Sequence, residues 1–159
     1  MMPGMSEPTP DATPVILLEE IFPGDTNAYG TAFGGKILAL MDRAAGLAAS
    51  RYARASFVTA SLDALEFRAP VRQGEIAEVV ARVVYTATRT CGIRVQVFAD
   101  RKDAWERRLC CAGLFFMVAV GPPGSAPRLP PLEVSGAEAQ AAYDEAAAVH
   151  RRMLERRGR

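Results

Sequence analysis

Residues 25–52 (DTNAYGTAFGGKILALMDRAAGLAASRY) constrain this fold more than any other stretch of the chain. A polar, turn-forming loop passes through Phe33-Gly34-Gly35 and enters a helical pattern. Ile37, Leu38, Leu40, Met41, Ala44, Ala45, Leu47, Ala48 and Ala49 cover nearly every direction around its axis. Such a helix belongs inside a core and not on a half-wetted surface. Asp42 interrupts the pattern. A carboxylate in an otherwise apolar helix is costly unless it is paired or used, so Asp42 is the first candidate for chemistry. Its structural alternative is a salt bridge, for instance to Arg43 of a second copy. Gly46, costly in a helix interior, points to close packing against a neighbour.

The rest of the chain reads as strands around that helix. Residues 14–22 are a short apolar run before a Pro-Gly turn. Residues 57–67, 77–86 and 92–100 alternate, and 107–120 are apolar on both faces, as in a strand covered twice. Turns fall at 68–74, 88–90 and 101–103. The order is one strand, the long helix and a four-stranded meander, with the first strand joining the same sheet. The fold class is α+β: one long buried helix wrapped by an antiparallel five-stranded sheet. A further C-terminal helix is expected over 135–157, with Ser135 as its cap. Three segments follow: a Pro-rich tail 1–13 expected to be disordered, a domain 14–121, and a Pro-rich linker with the C-terminal helix, 122–159.

Composition removes several function classes. A net charge of +1 gives no field that would gather nucleic acid. No apolar run approaches the ~18 residues of a membrane span, and residues 1–13 lack a signal-peptide pattern, so a cytoplasmic location is expected. Cys91, Cys110 and Cys111 make no disulfide framework, and neighbours on a strand point to opposite faces, so packing explains them. The single histidine, His150, lies in the charged tail. A histidine-dependent dehydratase, a Ser-His-Asp triad and a His-based metal site are all disfavoured, and no metal is expected.

The pattern Pro23-x-Asp25-Thr26-Asn27-x-x-Gly30-x-x-Phe33-Gly34-Gly35-x-Ile37, then Met41-Asp42, resembles the hotdog-fold acyl-CoA thioesterases of the YciA and cytosolic acyl-CoA hydrolase type. Phe67-x-x-Pro70-x-x-x-Gly74-Glu75 resembles the same family's strand-turn-strand signature, and the likeness spans residues 15–120. Phe33 stands where many members carry His, which removes a hydrogen-bonding side chain. The resemblance implies hydrolysis of fatty acyl-CoA to free fatty acid and coenzyme A, with Asp42 as general base or nucleophile. It also implies that Asn27 helps to hold water or substrate, and that no cofactor is needed beyond the coenzyme A of the substrate. Active sites at a dimer interface, within a hexamer built as a trimer of dimers, are implied as well.

The residues fit that chemistry. A thioester carbonyl needs an attacking oxygen and a stabiliser for its oxyanion, while the thiolate leaves with little acid help. The N–H groups of Gly34 and Gly35, at the positive end of the helix, suit the oxyanion. Gly35 and Asp42 share a helix face but are seven residues apart, about 10 Å along the axis. That is too far for one carbonyl, so Asp42 of one copy should meet Asn27 and Gly35 of another in at least a homodimer. Coenzyme A needs donors for its phosphates. Arg68 beside Pro70, and Thr88, Arg89 and Thr90 in the next turn, are the candidates, at strand ends expected to be near one another in the meander. The alternative for Asn27 is a turn residue that bonds its own backbone. Arg151, Arg152, Arg156, Arg157 and Arg159 read as a solvated helix end, with phosphate contact as the alternative. The rival function is a non-catalytic hotdog that binds acyl-CoA and signals through its C-terminal helix.

Overall fold

The computed structural model describes residues 10–158. Most of the tail expected to be disordered, residues 1–9, lies outside the described residues, as does Arg159. Residues 10–13 have no regular structure, and Arg51 reaches back to them, with its Nε 3.6 Å from Asp11 Oδ2.

The elements are β1 (Val15–Glu20), α1 (Gly34–Ala53), β2 (Ser56–Phe67), β3 (Ile76–Thr86), β4 (Thr90–Asp100), β5 (Arg107–Val120) and α2 (Ala137–Arg157). The strands form one antiparallel five-stranded sheet in the order β1-β3-β4-β5-β2. The expected four-stranded meander is therefore corrected to a three-stranded one, β3 to β5, because β2 lies at the far edge beside β5. The connection from β2 to β3 is tied elsewhere and cannot act as a hairpin. Ala32 N–H bonds to Val71 O at 2.8 Å, Gln73 N–H to Gly30 O at 2.9 Å and Gly74 N–H to Ile21 O at 2.8 Å. These bonds clamp the β2–β3 connection to the loop that precedes α1.

The sheet curls around α1, and small side chains let it come close. Ala44, Ala45, Ala48 and Ala49 on α1 face Ala77, Val79, Ala81, Ile93, Val95, Val97, Phe115 and Met117, all buried. At Gly113 of β5 a Cβ would stand 3.2 Å from Leu65 and 3.3 Å from Leu62, so the helix-facing side chains use that space. The wrapping is not complete, which corrects the expectation of an all-round burial. Ala39, Asp42, Arg43 and Leu47 form one exposed stripe of α1, because no strand of the same chain covers that side.

β5 is covered on both faces, as its composition requires. Its outer residues Leu114 and Phe116 pack under Ala146 and Val149 of α2. The His150 ring stacks on Phe116 with centroids 5.7 Å apart, and Tyr85 Oη lies 3.0 Å from His150 Nδ1. Burial, with the charge of Arg157, holds the His150 pKa below its ordinary value, and the ring and the tyrosine hydroxyl share one hydrogen bond. α2 starts after Gly136, whose φ is 91°, and has no side-chain cap, so Ser135 does not serve. The Pro-rich linker is anchored along its length. Leu129 is buried and its N–H bonds to Thr88 O at 2.8 Å; Tyr52 Oη donates to Pro130 O at 2.8 Å. The three cysteines are buried and free, and burial pushes Cys91 up to about 12 and Cys111 to about 11. They are packing groups.

One buried charge fastens the β2–β3 connection. Glu75 accepts from Arg108 Nη1 at 2.8 Å, Arg108 Nη2 at 2.6 Å and the Arg72 N–H at 2.7 Å. Burial alone would raise its pKa, but the Arg108 hydrogen bonds and charge and the Arg72 N–H outweigh it, and the net shift is downward. A lowered carboxylate stabilises the fold above its unfolded pKa, and that contribution fades as pH falls through its folded pKa. Glu75→Ala should therefore cost about 2 kcal/mol at neutral pH. Urea unfolding should show the gap from wild type narrowing once the pH drops below the usual carboxylate range.

Candidate functional site

The loop before α1 is built from its own polar side chains. A 3-10 turn spans Pro23–Asp25; Asp25 Oδ2 accepts the Phe22 N–H at 3.0 Å, and Lys36 Nζ lies 3.3 Å from Asp25 Oδ1. Asn27 closes the following turn. Its Oδ1 accepts the Tyr29 N–H at 2.9 Å and its Nδ2 donates to Thr31 Oγ1 at 3.0 Å. This is the turn-forming arrangement foreseen as the alternative role of Asn27. It uses one of two Nδ2 hydrogens, and the residue is exposed.

At the start of α1, Phe33 is in the cap position and supplies no side-chain bond. Its carbonyl takes the Lys36 and Ile37 N–H groups at 3.0 and 3.4 Å. The Gly34 and Gly35 N–H groups come before any intrahelical acceptor. Both residues are exposed, so two donors at the positive end of a 20-residue helix face outward. A Cβ on Gly35 would come within 3.2 Å of the Phe33 ring. The glycine keeps that approach open.

Two turns on, Asp42 lies on the exposed stripe of α1. Its Oδ1 accepts a hydrogen bond from Thr59 Oγ1 of β2, and the same hydroxyl oxygen is 3.4 Å from Met117 Sδ. Asp42 and Thr59 line an open groove of about 420 Å³ with Gly46, Leu47, Phe57 and Val58 among its walls. Thr59 is the residue that the sequence reading missed. The available signal was its place as a polar residue on a strand directed toward α1, visible only once strand register and helix rotation are both known. Asp42 is not shielded from water within one chain, so its burial requires something outside that chain.

The candidate residues fall at two ends of the domain. Gly34 stands beside Phe67, whose ring is 3.6 Å from a Cβ built there, so Asn27, Gly34, Gly35 and Arg68 belong to one end. Asp42 and Thr59 belong to the other. The coenzyme candidates divide in the same way, contrary to the expectation that they are neighbours. Phe67 pairs with Cys111 and Thr90 with Val118, so Arg68 and the Thr88-Arg89-Thr90 turn are about 23 Å apart along β5. That turn lies at the same end of the sheet as Thr59, which pairs with Met117, with β5 between them. Arg68 is held 3.1 Å from Glu66 Oε2, both more than half exposed.

Among the described residues no group of three His, Cys, Asp or Glu side chains is placed to hold a metal ion. No helix among the described residues is long and apolar enough to cross a membrane.

Residues 29–105 match the Thioesterase superfamily. YciA of Salmonella typhimurium, an acyl-CoA thioester hydrolase, is 33% identical over 134 residues, covering 80% of this chain and 98% of that protein. The human cytosolic acyl coenzyme A thioester hydrolase is 34% identical over 63% of this chain, but the match spans only 27% of the human protein. Among solved structures, an apo-hexameric acyl-CoA thioesterase superposes with a TM-score of 0.85 at 30% identity, covering 93% of this chain and 95% of its own. The Staphylococcus aureus acyl-CoA hydrolase, solved with butyryl coenzyme A and coenzyme A, has a TM-score of 0.80 at 30% identity, covering 90% and 88%. It was also solved as alanine variants at an asparagine, an aspartate 15 positions later and a threonine 17 positions further on. Asn27, Asp42 and Thr59 have that same spacing. The chain belongs to the Thioesterase superfamily, within its acyl-CoA thioester hydrolases.

Proposed function

We propose that this chain hydrolyses fatty acyl-CoA to free fatty acid and coenzyme A, with Asp42 as the general base. The hydrogen bond from Thr59 to Asp42 Oδ1 carries this reading. It holds the carboxylate against β2 and leaves Oδ2 to take a proton from water. The activated water adds to the thioester carbonyl, the oxyanion is met by the Gly34 and Gly35 N–H groups, and collapse expels the thiolate. Asn27, through its remaining Nδ2 hydrogen, positions the carbonyl or the water. A nucleophilic Asp42, forming an anhydride that water then cleaves, uses the same groups. No metal or organic cofactor enters either route.

The separation of the two ends sets the assembly. Gly35 and Asp42 are about 10 Å apart along α1, so one carbonyl draws them from two copies. β2 is an edge strand, and Val58, Leu47, Phe67 and Phe33 are exposed apolar residues along it and beside it. Unprotected edges of this kind invite pairing. Antiparallel pairing of β2 with its counterpart brings Asn27, Gly34, Gly35 and Arg68 of one protomer toward Asp42, Thr59 and the Thr88-Arg89-Thr90 turn of the other. It also covers Asp42. The coenzyme phosphates then have donors from both chains, Arg68 and Thr88, Arg89 and Thr90. The homodimer is the minimal unit, and hexameric relatives support a trimer of such dimers. The cytosolic relative supports a cytoplasmic location.

Free-thiol release from a panel of acyl-CoAs tests the reaction. Asp42→Ala should lower kcat by about 10³-fold and Thr59→Ala by about 10- to 100-fold, with Thr59→Ser close to wild type. Coenzyme binding without thiol release by the wild type would instead establish the non-catalytic binder.

The shared site has a separate test. Asp42→Ala and Asn27→Ala proteins, each inactive alone, are dissociated, mixed and reassembled. Random pairing makes half the dimers mixed, each with one intact site, so about one quarter of wild-type activity should return. Sites confined to single chains would give none.

A further inference from the structure

We propose that the arginine-rich end of α2 is a phosphate-binding subsite for coenzyme A at the mouth of the Asp42–Thr59 groove; this rests on the acyl-CoA reading above. The direction of α2 is fixed by its packing. Ala146, Val149 and His150 are buried, and the His150 ring is stacked on Phe116. From there the helix runs across β5 toward β2, and Arg157 Nη2 donates to Ala60 O at 3.4 Å. Ala60 is the extra residue of a bulge, since pairing passes from Thr59–Met117 to Ser61–Phe116. Its peptide follows directly on Thr59, the residue that holds Asp42. The last turns of a helix that is otherwise remote in sequence therefore reach, from the outer face of the sheet, the edge strand that carries Thr59.

Those turns carry concentrated positive charge. Arg151, Arg152, Arg156 and Arg157 are exposed and interrupted by one acidic residue, Glu155. Among the described residues no carboxylate lies within ion-pair distance of any of the four, so their charge is left uncompensated along the helix end. Favourable interaction with the helix C-terminus accounts for cations in the last turn but not for Arg151 and Arg152. From Arg151 to Arg157 the helix advances about 9 Å. That span is long enough for separate guanidinium groups to meet a pyrophosphate and a ribose phosphate. The Thr88-Arg89-Thr90 turn lies at the same end of the sheet, with Arg89 O accepting the Ala119 N–H at 2.9 Å. It gives the phosphates a second side.

The experiment compares wild type with Arg156→Gln/Arg157→Gln on two thioesters of the same acyl group, one on coenzyme A and one on pantetheine, which lacks the phosphates. Circular dichroism and gel filtration check that the variant keeps its fold and assembly. KM for acyl-CoA should rise about tenfold with kcat within twofold, while both constants for acyl-pantetheine stay unchanged. Calorimetric titration with free coenzyme A should show the same loss of affinity, which reads the subsite independently of turnover. Unchanged coenzyme affinity, or an equal loss on both thioesters, overturns the subsite. Coenzyme binding that weakens in the variant while the wild type releases no thiol upholds the subsite and removes the hydrolase reading.

Discussion

The close approach of α1 to the sheet governs the rest of this molecule. Four alanines on the helix and Gly113 on β5 reduce the side-chain layer between them, so the strands can bend around the helix instead of lying across it. A curled sheet of five strands covers part of a helix circumference and leaves a stripe. The uncovered stripe is the one that carries Asp42, Arg43 and Leu47. The core and the position of Asp42 are thus two results of one geometry: the sheet buries what it can reach, and the carboxylate occupies what it cannot.

That geometry also separates the parts of the site. A helix N-terminus offers its free N–H groups at one place only, and a side chain two turns later cannot be brought back to it. In the proposed dimer both sets of groups stay on α1 and a second copy supplies the missing half. Exposed Phe33, Phe67, Leu47 and Val58 fit the same arrangement, because in one chain they are apolar surface with no cover. In that proposed dimer the clamp between the pre-helix loop and residues 71–75 also serves the site. It fixes Asn27 and the glycines relative to Arg68, so one protomer presents these groups as a rigid set.

Much of this was legible in the sequence because single segments carried it. The apolar helix, the five strands, the twice-covered β5 and the role of the cysteines follow from periodicity in contiguous stretches. Asp42 stood out because one charge broke a long apolar pattern. The features that escaped depend on two segments at once. The far-edge position of β2 is set by hydrogen bonds between residues 71–74 and the loop at 21–32, which local alternation does not encode. Thr59 has meaning only beside Asp42, and a threonine on a strand is unremarkable by itself. The exposed stripe on α1 escaped because periodicity shows which residues are apolar and not whether the same chain covers them.

The C-terminal helix shows the same limit from the other side. Its sequence, alanine-rich with arginines at the end, describes a partly solvated helix and nothing more. What gives it a place is the outer face of the sheet, where Leu114, Phe116 and Tyr85 present an apolar and aromatic surface that a lone hotdog sheet would leave wet. His150 is suited to that contact, since it stacks on Phe116 and shares a hydrogen bond with Tyr85. The linker bonds to Thr86, Thr88 and Tyr52 position the start of the helix, and the aromatic contacts set its heading. With both fixed, the position of the arginine-bearing end over Ala60 follows from the packing of α2, several turns away from the arginines themselves.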